Sequence, residues 1–371
     1  MVARRVASSV AQKHVRFLTV VPAATARGLV AAVYRQVAEE FQIVVPPALL
    51  HSPSDDVLAA YWTLTREPLL PAGVVDRAVK EAVAATVSVA NTCPYCADLH
   101  VAGLFELSDE RDAEAIAADR PDEIADIRMR RFVQWARGAH RADGPPLPAG
   151  VSEVERAELV GVVVGFHYLS RVVNVFLANS LLPQGLGPRA RRRLNQGLGR
   201  VLRPTLRGQH LAGRATRLLD AAPPTSDVSW ASGSPRIADA MARSYRVFEV
   251  AGERSLDPAV RSLVVTRLDG WAGEDAGLST RWCEELIEPL TAPQRAAARL
   301  ALLTAFASYR VGPEVVEDFR RHHPADATLV DVAAWASFAA ARRIGVRQSA
   351  HEEKNGGRPR RDNGAVVPRE S

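Results

Sequence analysis

Apolar residues recur every three or four positions from Arg27 to Phe41, Ser54 to Arg66, Ala72 to Ala90, Cys93 to Leu107, Ile124 to His140 and Glu153 to Leu181, with Pro, Gly, Asn or Asp between the segments. That spacing gathers apolar side chains on one face of a helix, so each segment predicts a helix packed against a core. Alternation of the kind a strand needs is absent over any useful length. The pattern predicts an all-α chain. Gly and Pro clusters mark a loop at Asp143–Gly150 and a linker at Ala221–Asp227.

After the linker the helical pattern resumes, over Asp257 to Trp282, Ala292 to Tyr309 and Ala325 to Ile344. At an offset of 181 residues, Arg261 falls on Lys80 and Ser262 on Glu81, while Glu274, Gly277 and Arg281 fall on Cys93, Cys96 and His100. We read the second half as a degenerate repeat of the first, against the alternative that alanine-rich helices share periodicity without ancestry. The expected organisation is a basic arm (1–24), a first helical domain (25–185), an Arg-rich connector (186–230), the degenerate repeat (231–345) and a disordered basic tail (346–371).

With 371 residues, 47% of them hydrophobic and 24% charged, the chain is long enough for two ordinary soluble domains. The longest apolar run, Leu159 to Phe166, stops at His167 and is far short of the about 20 residues that span a bilayer, so no membrane segment is expected. The first twenty residues are basic but lack the apolar core of a secretory signal. The formal charge of +5 is uneven: nine arginines lie between Arg189 and Arg217 with no acid until Asp220. Without interleaved aromatics this stretch reads as a solvated helical face and not as a nucleic-acid patch. Three cysteines, two of them in one motif, fit a reducing compartment, so a cytoplasmic location is expected.

Those two cysteines dominate the candidate chemistry. From Glu81 to His100 the chain reads EAVAATVSVANTCPYCADLH. Cys93, Cys96 and His100 are spaced i, i+3, i+7 and share one helical stripe. Pro94 is tolerated only in a first turn, so a helix is expected to start just before Cys93, with Asn91 and Thr92 as capping side chains. A helix start favours thiolate over thiol. If the chain turns back near Ala90, Glu81 lies opposite His100, where a carboxylate orients an imidazole and raises its basicity.

Other readings of these residues are weaker. A structural zinc site wants four ligands, and the one further cysteine is Cys283. A thioredoxin-like pair would need a preceding strand, whereas the flanks here are helical. The glycines near 185 and 197 lack the third glycine and the strand of a dinucleotide fold. His167, Arg171 and Asn174, at i, i+4 and i+7, share one helical face as candidates for a pocket lining or a subunit contact, with a satisfied buried polar cluster as the alternative.

The spacing Glu81-x11-Cys93-x2-Cys96-x3-His100 resembles the active-site pattern of the alkylhydroperoxidase D-like branch of the carboxymuconolactone decarboxylase superfamily, and Phe166–Pro183 resembles the closing helix of its peroxidase-related members. The likeness spans Thr25 to Pro183. It implies an alkylhydroperoxidase D-like helical bundle, here as two tandem repeats, in which Cys96 attacks a hydroperoxide, Cys93 resolves the product, and Glu81 with His100 relays protons. It further implies no cofactor, a dithiol reductant such as a lipoyl-bearing or thioredoxin-like protein, and a homo-oligomer. Tyr95 stands where the relatives carry histidine, which leaves Cys93 without a base of its own. The rival functions are a lactone decarboxylase or isomerase of the same superfamily, and a redox sensor that reacts without turnover.

Overall fold

The computed structural model describes residues 15–177, 180–183, 185–277 and 279–356, with side chains described as far as Ser349. The regular structure of the described residues is helical, apart from one isolated bridge between Val15 and Leu177. The helices are α1 (Gly28–Phe41), α2 (Pro46–His51), α3 (Asp55–Leu69), α4 (Arg77–Ala90), α5 (Pro94–Leu107), α6 (Glu110–Ala117), α7 (Ile127–Gly138), α8 (Glu153–Phe176) and α9 (Pro188–Arg207). After two short 3-10 turns follow α10 (Pro235–Ser255), α11 (Pro258–Asp269), α12 (Arg281–Ile287), α13 (Ala292–Ala307), α14 (Pro313–His322) and α15 (Asp326–Gly356).

The axis of the fold is α8. Its start is fixed by a capping box, in which Glu155 N donates to Ser152 Oγ at 3.2 Å and Ser152 N donates to Glu155 Oε2 at 3.0 Å. From Ala157 to Phe176 nearly every residue is buried. By length and composition α8 could cross a membrane, yet its most apolar window is 94% enclosed by the other helices. It packs on α3 and α4 on one side and on α15 on the other. One continuous apolar core therefore runs from Ala26 to Ile344, through both halves of the chain.

Several elements differ from the sequence expectation. The short helices α2 and α6 are too brief to show periodicity. The region 346–356, expected as the start of a disordered tail, continues α15, and buried Gln348 accepts a hydrogen bond from Trp135 Nε1 at 3.1 Å. Residues 357–371 and 1–14 lie outside the described residues. Residues 15–21 of the expected arm are tied down, with Arg16 N donating to Phe176 O and Val21 N to Ser52 Oγ. At the positions expected to repeat the α4–α5 turn, an irregular stretch from Gly270 to Gly277 follows α11.

The first part of the Arg-rich connector forms the amphipathic helix α9, laid along α5, and the remainder holds the two 3-10 turns. Gly199 makes the approach possible: a Cβ there would stand 2.5 Å from the Ala102 carbonyl oxygen of α5. On its outer side Arg191 pairs with Asp98 at 3.0 Å, Arg192 with Glu114 at 2.5 Å, and Arg203 and Arg207 with Glu106 at 2.8 Å. Much of the segment's positive charge is thus matched within the chain. Exposed pairs of this kind add little stability each, so the apolar side of α9 holds it in place.

Candidate active site

Helix α4 ends in a Schellman motif: Thr92 N donates to Val89 O and Cys93 N donates to Ser88 O, both at 2.9 Å. Thr92 takes the left-handed position at φ +52°, where glycine is the usual occupant and a β-branched residue is strained. This sharp reversal makes Cys93 the N-cap of α5 and Pro94 its first residue, as the sequence predicts to within one position. The capping expectation is corrected. Neither Asn91 nor Thr92 caps α5; the Asn91 amide donates instead to Val87 O at 2.7 Å and to His167 Nδ1 at 2.8 Å.

The reversal sets α4 and α5 side by side and brings Glu81 against His100. His100 Nδ1 lies 2.5 Å from Glu81 Oε2, and Arg77 Nε donates to Glu81 Oε1 at 2.7 Å. All of this is buried or nearly so. Burial raises the Glu81 carboxyl, but Arg77 and His100 outweigh it and hold it down at about 2. The ionised carboxylate accepts from Nδ1–H, which leaves Nε2 of His100 as the nitrogen able to take a proton. The imidazole rests edge-on against Phe166, with ring centroids 4.5 Å apart.

Cys93 and Cys96 are both free, buried and within hydrogen-bonding reach of each other. At Cys96 the expected thiolate does not hold: burial pushes its thiol well up and the neighbouring Cys93 sulfur adds to this, while the Ser170 hydroxyl opposes it. One helix terminus does not offset full desolvation of the sulfur. Cys96 therefore rests as a thiol and needs a base, and His100 is one turn further along the same face.

Beside this cluster opens a cavity of about 360 Å³, walled mostly by apolar side chains. Tyr61, Trp62, Leu69, Phe166 and Leu169 form its floor, Tyr95 and Leu99 one side, and Leu198, Leu202 and Leu206 of α9 its cover. Glu81 and His100 stand at its wall. Tyr95 is buried, and burial together with the two sulfurs raises its phenol. His167, Arg171 and Asn174 are not part of this cavity's lining. They gather behind the cysteine turn, where Asn174 Nδ2 donates to Asn91 O at 2.9 Å and to Ser308 Oγ at 3.0 Å.

Against this geometry the comparisons are decisive for kinship. The profile of the carboxymuconolactone decarboxylase family matches residues 56–137, the span that carries α3 to α7 and the whole cluster. The chain is also 37% identical over 333 residues to a Mycobacterium tuberculosis protein named alkyl hydroperoxide reductase, covering 90% of this chain and 94% of that one. The chain belongs to the carboxymuconolactone decarboxylase family. Its all-α fold agrees with the bundle that the resemblance implies.

Sequence reasoning missed Arg77, Ser170 and the leucines of α9. Arg77 lies four residues before Glu81 on a helix, a spacing that pairs opposite charges and was available to read. Ser170 and α9 reach the site only through the tertiary packing of α8 and α9, and neither carries a local signal.

Proposed function

We propose that the chain is a thiol peroxidase that reduces organic hydroperoxides. The observation that carries this reading is the His100–Glu81 contact at 2.5 Å, at the wall of an apolar cavity and one helical turn from Cys96 of the cysteine pair. In the reaction, His100 Nε2 takes the Cys96 proton. The thiolate attacks the distal peroxide oxygen, the O–O bond breaks, and the leaving alkoxide receives the proton back from His100. Cys96 becomes a sulfenic acid. The Cys93 sulfur then bonds to it, water leaves, and the resulting disulfide is restored by two electrons from an external dithiol.

The cavity supports the choice of substrate. Hydrogen peroxide needs no apolar volume, whereas about 360 Å³ walled by aromatic and leucine side chains suits an alkyl or aryl group. The relative named alkyl hydroperoxide reductase supports the same direction. A decarboxylase of this family would use the Glu81–His100 pair but has no need of two free cysteines beside it. Peroxide consumption by the purified chain with a small dithiol tests the reading: continuous turnover of cumene hydroperoxide is expected, faster than of hydrogen peroxide. A single stoichiometric oxidation followed by arrest would reject it in favour of a sensor.

A further inference from the structure

Behind the cysteine turn, where the two halves of the chain meet, lies a second cavity of about 80 Å³. Its lining includes Asn91, His140, His167, Arg171 and Trp271. The wall from the second half is firmly seated. Gly273, at φ +95°, packs so close that a Cβ would stand 2.3 Å from the His140 carbonyl oxygen, and Ala142 N donates to Ala272 O at 2.7 Å.

The polar groups here are unbalanced. Arg171 is buried, donating from Nε to Ala305 O at 2.9 Å and from Nη1 to His167 O at 2.7 Å, and it forms no ion pair among the described residues. Burial lowers its guanidinium to about 9. A buried charge without a counter-charge is costly to keep. His167 Nδ1 faces two donors, Asn91 Nδ2 at 2.8 Å and Arg171 Nη1 at 3.1 Å, so its ring proton belongs on Nε2. That Nε2 is buried and has no partner among the described residues, and Nδ1 of the adjacent His140 ring is in the same condition. The carboxylates at the mouth are engaged elsewhere than with Arg171: Glu274 Oε2 accepts from Ala272 N and Asp275 Oδ1 from Gly277 N, each at 2.8 Å, and Asp275 Oδ1 also accepts from the Tyr309 hydroxyl at 3.4 Å.

We propose that this cavity binds a small oxyanion, a carboxylate or a phosphate, held by the Arg171 guanidinium and the His167 Nε2–H. Such a ligand supplies both the missing counter-charge and the missing acceptor. The volume holds several waters or an anion of a few heavy atoms, and excludes a nucleotide. Asn91, bonded to His167 and two residues before Cys93, links the occupant to the cysteine turn. The proposal does not depend on the peroxidase reading.

Calorimetric titration of the full chain with sodium phosphate and with sodium acetate, at constant ionic strength set by chloride, tests it. Saturable binding to one site is expected, with Arg171→Met weakening it by about tenfold or more. Glu274→Gln keeps an acceptor for Ala272 N while removing a negative charge at the mouth, so it should tighten binding by about threefold. Preference for phosphate assigns a phosphoryl ligand and preference for acetate a carboxylate, and either upholds the site. Absence of saturable binding by both anions overturns it, as does weaker or unchanged affinity in Glu274→Gln. Glu274 is exposed, so that variant decides the matter even if Arg171→Met fails to fold.

Discussion

His100 Nδ1 and Glu81 Oε2 stand 2.5 Å apart although they sit on different helices, nineteen positions from each other in the chain. The contact exists because a three-residue reversal sets α4 and α5 antiparallel, and it commits the imidazole to one tautomer with Nε2 free. The two residues act as one unit. Glu81→Gln and His100→Phe should each slow the peroxide step by about a hundredfold or more. The double variant should be little slower than either single one, because each loss already removes the relay. Stopped-flow rates of cysteine oxidation measure this, and fully additive losses would show that the residues work separately.

The two cysteines should divide their roles by distance from that base. Cys96 is one helical turn from His100 and Cys93 nearly two, and burial leaves Cys96 dependent on a base. Cys93→Ser should therefore form a sulfenic acid that a dimedone-type probe traps, and Cys96→Ser should not. Trapping confined to the Cys96→Ser protein would reverse the assignment.

Much of the candidate site was legible because it is local. Glu81, Cys93, Cys96 and His100 lie within one helix–turn–helix, where spacing alone fixes which side chains face each other. The longer helices of the first half were legible from periodicity, with boundaries displaced by a few residues, as at the C-terminal end of α8, whereas α10 lies outside every segment predicted as a helix and the Asp257–Trp282 pattern is broken after α11. Illegible were the features that depend on distant packing. The thiol state of Cys96 follows from its burial in the packed core, and the role of α9 follows from its leucines reaching the cavity. In the sequence its arginines hide that role, since seven charges with no acid among them look like a solvated face until Glu106, Asp98 and Glu114 come alongside.

The close contact at Gly199 gives a handle on the cover of the cavity. Alanine there would place a Cβ 2.5 Å from a backbone oxygen of α5, and backbone cannot rotate away, so α9 must move outward. Overpacking of this kind costs about 1–3 kcal/mol. Gly199→Ala should lower the thermal midpoint and raise KM for a bulky hydroperoxide while leaving turnover of hydrogen peroxide nearly unchanged. Equal losses with both peroxides would mean that α9 supports the catalytic cluster and not the substrate.

Acid should weaken the fold well before the carboxylates titrate, because of His51. Its Nδ1 lies 2.6 Å from Pro47 O and its Nε2 2.8 Å from the Tyr168 hydroxyl, with the ring stacked on Tyr61 at 4.3 Å. The neutral ring is thus fully satisfied inside the core. Burial lowers it to about 3 despite the Pro47 carbonyl, whereas in the unfolded chain a histidine titrates near about 6.5. Below that higher value the unfolded state binds a proton that the folded state refuses, so stability is full above about pH 6.5 and is lost as pH falls toward about 3. One such group costs about 2 kcal/mol by about pH 5. His140 and His167, also depressed, add to the loss in the unmodified chain. His51→Asn should start less stable, through the lost packing, yet lose less on acidification, because one of the refused protons is gone. Urea unfolding of both proteins at about pH 7 and about pH 5 reads the difference directly. Equal acid losses in the two proteins would show that His51 is protonated in the folded state and that its burial does not set the acid limb.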